Sequence, residues 1–353
     1  MINLLIGSLA LILGGTSLLL GPSAPTEQTR GDPTLPAMLH KKNAEADGRA
    51  GPNSSARVTE QKSVGGVPVL ISRPGIVNPN TRLVVLYHGF GPPQNPRALA
   101  EALRLEEMDA VLAFVNLPMV ADRMPAGGKD ELLRVQKEDF VNGFFFRSIS
   151  GATAELQQIV KDLNATYHLD ADKGIGLFGF SAGGAAALLA MLESDVPITA
   201  AVIVNAPTSV TQNVENWQRT LQRQFEWDDA SRKAASRYNV QLQADKIAER
   251  KILPALLIVQ GDADKQLGIE PARRAFEALK QRYVGRGEPE RIQLRVIHGL
   301  AHNFGPGSGA TGSGGTVPVP ATAPSTSRRT RARRTATSCG TSPGGAPGSG
   351  LIW

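Results

Sequence analysis

The stretch Gly179-Phe180-Ser181-Ala182-Gly183 decides the fold prediction, because it has the G-x-S-x-G pattern of a nucleophile elbow. In such an elbow, a sharp turn between a strand and a helix raises a serine hydroxyl above the edge of a sheet. The chain has 37 glycines, so a five-residue pattern needs support from its neighbours. That support comes from the residues on both sides of Ser181.

The segments around this turn predict alternating helices and strands. Apolar residues recur every three or four positions over residues 149–167, which indicates one buried face of a helix. Residues 175–180 are a short apolar run, typical of a strand that is buried on both faces. Residues 182–192 predict a tightly packed helix, and residues 200–205 predict a second strand. This order predicts an α/β fold with a mostly parallel sheet flanked by helices.

A second glycine pattern in the same region does not predict a nucleotide site. Residues 174–179 match G-x-G-x-x-G, which binds dinucleotides when it lies in the turn between a strand and a helix. Here the glycines run along the predicted strand itself. Nucleotide binding is therefore not expected.

Two of the five histidines lie where a base for Ser181 is expected. A serine hydroxyl needs a base that accepts its proton, and a third group that orients the base. His302 lies in a loop after the last predicted strand and is the favoured base, with His298 as the alternative. His298 and His302 are four residues apart, a spacing that also suits two ligands of one zinc ion. However, Gly299 replaces the glutamate of H-E-x-x-H, so no metal site is predicted.

Asp264 is the predicted acid. The apolar run 255–260 ends in Gly261-Asp262-Ala263-Asp264, and in this type of site the acid precedes the histidine in the chain. Asp262 stays as the alternative acid; its other interpretation is a side chain that holds the turn. The preceding strand ends in Asn205, which carries no charge and cannot serve as the acid.

Two backbone N–H groups are predicted to bind the negative charge that develops on a substrate oxygen. Ala182 follows the nucleophile directly and supplies the first N–H. Phe90, in His88-Gly89-Phe90-Gly91 after a predicted strand, supplies the second, because its glycine neighbours let the backbone turn its amides inward. Taken alone, the latter segment is also compatible with a plain glycine turn.

These residues together resemble the α/β-hydrolase superfamily, in particular its esterase, dienelactone-hydrolase-like and prolyl-oligopeptidase-like members. The resemblance spans about residues 67–304 and includes the segment Ala301-His302-Asn303-Phe304. It implies the α/β-hydrolase fold and a Ser-His-Asp hydrolase that cleaves a carboxylic ester with a small or medium acyl group, without a cofactor. An amidase or peptidase and a noncatalytic binding protein of the same fold are the alternatives. Dienelactone hydrolases carry cysteine at the elbow, so Ser181 argues against that particular activity.

Composition divides the chain into four parts. Residues 1–21 are apolar and uncharged, which predicts a signal peptide or a membrane anchor, and residues 22–64 predict a flexible linker. Residues 65–305 form the predicted hydrolase domain, in which residues 208–250 are either a lid or a surface helix. Residues 306–353 are low in complexity and predict a disordered tail, for which a frameshift is an alternative origin. We therefore expect an exported protein, secreted, periplasmic or membrane-anchored, with its catalytic domain outside the cytoplasm.

The net charge of +6 does not indicate nucleic-acid binding. Five arginines and no acidic residue lie in residues 305–353, which leaves a charge of only +1 on the rest of the chain. The predicted catalytic region therefore has no basic stripe. The single cysteine, Cys339, can form no internal disulfide, so the fold does not depend on an oxidising compartment.

Two aromatic segments have more than one interpretation. Trp217, Leu221 and Phe225 have helical spacing, either on the candidate lid or on a surface helix that buries one face. Phe144, Phe145 and Phe146 are expected in the core, with a pocket lining as the alternative.

Overall fold

Eight strands form one sheet in the computed structural model, which describes residues 57–221 and 224–303. The strands are β1 (Val58–Val64), β2 (Val67–Arg73), β3 (Arg82–Tyr87), β4 (Ala110–Val115), β5 (Ile175–Phe180), β6 (Ile198–Val204), β7 (Ala255–Gly261) and β8 (Ile292–Ile297). Their order in the sheet is β1-β2-β4-β3-β5-β6-β7-β8. The pairs β1–β2 and β2–β4 are antiparallel, and strands β3 to β8 run parallel to one another. The prediction of a mostly parallel sheet flanked by helices is confirmed.

Helices connect the strands. They are α1 (Pro96–Leu103), α2 (Gly128–Glu138), α3 (Arg147–Tyr167), α4 (Ala182–Glu193), α5 (Val210–Leu221), α6 (Asp229–Arg237), α7 (Ala244–Ala248) and α8 (Glu270–Gly285). A π-helical segment, Phe140–Phe146, leads directly into α3. Short 3₁₀ turns cover Ala121–Arg123, Ala171–Lys173 and Pro289–Arg291.

The first strand corrects one predicted boundary, because it lies inside residues 22–64, the predicted linker. β1 pairs with β2 along its whole length, and Gly65 and Gly66, both with positive φ, form the turn between them. Arg57 also fixes this edge through a 2.9 Å bond from Nε to the hydroxyl of Ser72. Most β1 side chains are exposed, which is why the segment has the polar composition of a linker.

The nucleophile strand lies in the middle of the sheet and is buried. β5 pairs with β3 on one side and with β6 on the other, and all six of its residues are buried. α4 follows it and is buried from Ala182 to Leu192. Its small residues allow the helix to pack closely against β5 and α3, so the turn at Ser181 has rigid elements on both sides.

The aromatic residues of the π-helical segment are buried. The Phe144 ring lies 4.5 Å from the ring of Phe90, and Phe140 stacks on Trp217 of α5 at 4.5 Å. Burial of Phe144 to Phe146 agrees with the core interpretation, although contact with Phe90 also brings them close to the predicted site. Helices α5, α6 and α7 occupy the candidate lid region, and Trp217 is buried there, as a surface helix packed on the domain requires.

The predicted signal peptide or anchor (residues 1–21) and the predicted tail (residues 306–353) lie outside the described residues. Within the described part of the chain, no helix has both the length and the apolar character needed to span a bilayer.

Candidate active site

Ser181 lies in a tight turn between β5 and α4. Its φ of 53° and ψ of −120° fall in a region that a non-glycine residue rarely adopts, as expected at a nucleophile elbow. The turn is possible because glycines lie two residues before and two residues after Ser181. A Cβ on Gly179 would collide with the backbone of Gly183, and a Cβ on Gly183 with the carbonyl of His88. The Ser181 N–H donates to the carbonyl of Val204 at 3.0 Å, which fixes the turn to the neighbouring strand.

The structure brings Ser181, His302 and Asp264 together. The Oγ of Ser181 lies 3.0 Å from Nε2 of His302, and Nδ1 of His302 lies 2.8 Å from Oδ2 of Asp264. Since an ionised carboxylate can only accept, the ring proton of a neutral His302 belongs on Nδ1. The lone pair of Nε2 then faces the serine hydroxyl, which is the arrangement that a general base needs.

Asp264 is held in one orientation. Its side chain is fully buried, and Oδ1 accepts the backbone N–H groups of Gln266 and Leu267, each at 3.0 Å. Its Oδ2, which faces His302, also accepts from Nε2 of Gln260 at 3.2 Å. These bonds leave the carboxylate little freedom to turn away from the imidazole.

The alternative acid and the alternative base contact each other. Nδ1 of His298 lies 2.8 Å from Oδ2 of Asp262, and the N–H of Gly299 donates to Oδ1 at 2.7 Å. The His298 side chain is fully exposed. The hydrogen bond from His298, and next the one from Gly299, hold the pKa of Asp262 below its usual value. Asp262 thus ties down the turn after β8, which is the other role considered for it.

Asn205 connects the two loops that carry the acid and the base. Its Oδ1 accepts the N–H of Gly261 at 2.8 Å, and its Nδ2 donates to the carbonyl of Ala301 at 3.0 Å. The residue is fully buried and has a φ of 42°, a left-handed conformation that asparagine tolerates better than most residues. The side chain therefore sets the spacing between the end of β7 and the loop of His302.

The two predicted oxyanion donors lie on either side of the turn. Ala182 is the first residue of α4, so its N–H has no acceptor inside the helix. Gly89 approaches the nucleophile closely: a Cβ on Gly89 would lie 3.1 Å from Cβ of Ser181. Phe90 therefore begins directly beside Ser181, as a second donor requires.

His88 orients the peptide group that contains the Phe90 N–H. Its Nδ1 lies 2.8 Å from the carbonyl oxygen of Gly89, and its Nε2 accepts the N–H of Leu117 at 3.2 Å. The second bond places the ring proton on Nδ1, which then donates to Gly89. In a trans peptide the C=O of Gly89 and the N–H of Phe90 point in opposite directions. His88 therefore turns the Phe90 N–H away from its own ring.

Burial keeps His88 neutral. The residue is fully buried, and desolvation lowers its pKa, against the smaller opposing effect of its bond to Gly89. A neutral ring is required for Nε2 to accept from Leu117.

His88 and Asn205 are functional candidates that sequence patterns missed as such. Both were visible as polar residues directly after a buried apolar strand, a position at the carboxyl edge of the sheet. Their bonds, however, go to backbone atoms of distant segments, and no spacing in the sequence predicts such partners.

Comparison with known protein families finds one match, which covers the part of the chain that carries these residues. A model of the prolyl oligopeptidase family matches residues 151–312, a range that contains Ser181, Asp264 and His302. No curated protein matches the sequence.

Solved structures show the same fold. The crystal structure of TT1662 from Thermus thermophilus is similar over 71% of this chain and 92% of its own, with 17% identity and a TM-score of 0.51. A puromycin-hydrolyzing peptidase of Mycobacterium tuberculosis is similar over 72% of this chain, with 17% identity and a TM-score of 0.50. The similarity covers 38% of that peptidase, so this chain corresponds to only part of it. A thermophilic esterase from Thermogutta terrifontis matches over 72% of this chain and 88% of its own, at 20% identity and a TM-score of 0.46.

The strand order, the turn at Ser181 and the similarities to TT1662 and to the puromycin-hydrolyzing peptidase confirm the predicted fold. The chain is an α/β-hydrolase-fold protein, and its similarity to the prolyl oligopeptidase family covers the part that carries the site.

Proposed function

We propose that the protein is a serine hydrolase that cleaves a carboxylic ester through an acyl-enzyme. The observation that carries the proposal is the continuous chain of hydrogen bonds from Ser181 through His302 to Asp264, with distances of 3.0 and 2.8 Å. A noncatalytic protein of this fold has no need to keep a buried carboxylate bonded to a histidine that faces a serine.

In the first half of the reaction, Oγ of Ser181 attacks the substrate carbonyl carbon while Nε2 of His302 accepts the hydroxyl proton. Asp264 stabilises the imidazolium that forms. The N–H groups of Ala182 and Phe90 bind the oxyanion of the tetrahedral intermediate, an effect that is typically worth a few kcal/mol per donor. His302 then gives its proton to the departing alkoxide, and the alcohol leaves behind an acylated Ser181.

In the second half, water attacks the acyl-enzyme and repeats the same proton transfers. His302 accepts a proton from the attacking water, and the second tetrahedral intermediate uses the same two N–H groups. The proton returns to Oγ of Ser181 as the carboxylic acid leaves. No cofactor takes part in this scheme, because every proton moves between the substrate, water, Ser181 and His302, while Asp264 stays ionised.

A peptide or amide substrate is the second candidate, favoured by the match to the prolyl oligopeptidase family. The same triad cleaves both kinds of bond, so the fold alone does not choose between them. We place the ester first because an alkoxide leaves the tetrahedral intermediate more readily than an amine does. An ester and an anilide with the same acyl group, compared by kcat/KM on the full chain, distinguish the two substrates.

The test of the mechanism uses the full chain and three single variants. Ser181→Ala and His302→Ala should each lower kcat for a short-chain p-nitrophenyl ester by on the order of 10⁴-fold or more. His298→Ala is the matched control, because it removes an exposed histidine of the same loop and should change kcat less than threefold, roughly the effect of a surface change. Undiminished activity of Ser181→Ala would overturn the mechanism. A fully folded wild-type chain that cleaves neither ester nor anilide would favour the noncatalytic binding protein.

We also propose that the protein is exported and that residues 1–21 either are cleaved or hold it in a membrane. The support is the uncharged apolar run at the amino terminus followed by a polar segment. Fractionation of the expressing cells, followed by amino-terminal sequencing of the product, separates a cleaved secreted form from an anchored one. Recovery of the intact chain in the cytoplasmic fraction would contradict the proposal.

A further inference from the structure

A large cavity adjoins the predicted oxyanion loop. It has a volume of about 830 Å³, and Phe90, whose neighbour Gly89 approaches Ser181 closely, is one of its lining residues. Apolar side chains of Val120, Leu132 and Leu133 form part of its wall. A cavity of this size holds a small organic group comfortably.

The cavity also contains buried amide side chains. Asn116, directly after β4, is fully buried, and its Nδ2 has no hydrogen-bond partner among the described residues. Its Oδ1 lies 3.3 Å from Nε2 of His88. Nε2 of His88 carries no proton, so the two ends of this amide are exchanged: Nδ2 then faces Nε2, and Oδ1 is the buried atom left without a partner among the described residues. Gln136 of α2 lines the same cavity and is 8% exposed.

A buried polar atom without a partner is costly, typically by 1–3 kcal/mol, so such atoms in native proteins usually meet a ligand or water. The charged groups on the cavity wall, Arg97, Asp122 and Lys129, are exposed, whereas the buried polar residues, Asn116 and Gln136, are uncharged. A charged group placed beside them would lack a buried counter-charge. The cavity therefore suits an uncharged polar group, such as an amide, on an otherwise apolar chain.

The position of the cavity indicates which part of a substrate enters it. His302 reaches Ser181 from the side of β7 and β8, and it must protonate the leaving group, so the leaving group lies on that side. Asn116 follows β4, on the opposite side of β5. The acyl substituent of the scissile carbonyl is the part that is free to extend toward β4.

We propose that this cavity is the acyl pocket, and that it selects acyl chains with an uncharged amide bound by Asn116 and Gln136. The inference rests on the proposed hydrolase activity. β4 lies two strand positions from β5, a distance of roughly 10 Å at about 4.8 Å per strand. An extended backbone spans roughly 10 Å in about three residues, which corresponds to about eight or nine bonds. The amide of the acyl chain should therefore lie about eight bonds from the scissile carbonyl.

The test compares p-nitrophenyl esters of acetic, nonanoic and 6-acetamidohexanoic acid on the full chain. The two long acyl groups have the same number of chain atoms and differ in the amide, so their ratio of kcat/KM measures recognition of that group. The wild type should cleave the amide-containing ester at least as well as the nonanoate. A wild type that prefers the nonanoate by more than about tenfold, the effect of one lost hydrogen bond, would overturn the proposal.

Asn116→Leu should lower the ratio by on the order of tenfold, mainly through KM, because the replacement has a similar size and no polar atoms. Gln136→Leu tests the same pocket from α2, which is not part of the oxyanion loop, and should also lower the ratio. A purely structural role of Asn116 beside His88 would instead lower kcat for all three esters equally, acetate included, and leave the ratio unchanged. That result, or an unchanged ratio in both variants, would overturn the proposal.

Failure of this inference is distinct from failure of the proposed activity. Hydrolysis of the acetate ester that disappears in Ser181→Ala supports the activity whatever the ratio between the long esters. If the wild type cleaves none of the three esters, the activity and the pocket assignment are both overturned.

Discussion

The side chain of Asn205 donates a 3.0 Å hydrogen bond to the carbonyl of Ala301, one residue before His302. The same side chain accepts the N–H of Gly261 at 2.8 Å, at the start of the loop that carries Asp264. One buried amide at the end of β6 therefore holds the acid loop and the base loop at a fixed distance. Asn205 does not contact Ser181 itself, but it positions the proposed base, His302, and the carboxylate that orients it, Asp264.

Replacement of Asn205 should impair both stability and catalysis. In Asn205→Ala the buried N–H of Gly261 loses its acceptor, which typically costs 1–3 kcal/mol, and alanine adopts the φ of 42° less readily than asparagine. We expect a lower melting temperature together with a lower kcat. Asn205→Gly relieves the backbone strain without restoring the bonds, so it should recover part of the stability but not the activity. Full activity in Asn205→Gly would contradict the positioning role.

The choice of acid can be tested with a matched pair of substitutions. Asp264→Asn keeps the size of the side chain but no longer fixes the proton of His302 on Nδ1, so kcat should fall by roughly 10⁴-fold. Asp262→Asn removes the charge that pairs with exposed His298 and should lower kcat by less than about tenfold, since it perturbs only the turn. Kinetics with one ester substrate on both purified variants provide the measurement. The reverse order of the two effects would transfer the role of acid to Asp262.

His88 should contribute to the rate through the oxyanion donor. Without the bond from Nδ1 to the carbonyl of Gly89, the Phe90 N–H is no longer held toward the substrate oxygen. We expect His88→Leu to lower kcat by about 10²-fold, the typical effect of one lost oxyanion donor, with a small change in KM. His88→Gln, whose amide can still donate to Gly89, should retain more activity. Equal loss in both variants, with unchanged melting temperatures, would contradict the role assigned to the hydrogen bond.

The burial of neutral His88 should make the protein less stable in acid. An unfolded histidine titrates near 6.5, and burial lowers the pKa of His88 below that value in the folded chain. Between the two pKa values the unfolded chain binds a proton that the folded chain does not, so the free energy of unfolding decreases as the pH falls below about 6.5. Urea unfolding of the wild type and of His88→Gln, at about pH 7.5 and about pH 5, measures how much the free energy of unfolding of each protein decreases in acid. The decrease should be larger for the wild type, and equal decreases would show that His88 does not contribute.

The central part of the fold could be predicted because its signals are local. The glycines around Ser181 are required because a side chain there would collide with backbone only a few residues away. The apolar runs before and after Ser181 mark a strand and a helix that are buried on both faces. Asp264 and His302 could be predicted because each lies in a loop directly after a predicted strand, and because the acid precedes the histidine in this type of site. The structure places both side chains in contact with each other.

The remaining features depend on contacts between distant segments. β1 has the composition of a linker because an edge strand exposes most of its side chains. Asn116 belongs to no motif in the sequence, and only the packing of α2 and the oxyanion loop beside it creates a cavity. The partners of His88 and Asn205 include backbone groups 29 and 96 residues away, and backbone groups carry no sequence signature.

The distance of 121 residues along the chain between Ser181 and His302 has a consequence for the protein during its synthesis. The nucleophile leaves the ribosome well before its base, and the acid follows only after β6 and three further helices. A nascent chain with Ser181 already exposed therefore has no means of activating it. The hydrogen-bonded set of Ser181, His302 and Asp264 forms only when β7 and β8 join the sheet, so the proposed activity can begin only after the whole domain has been completed.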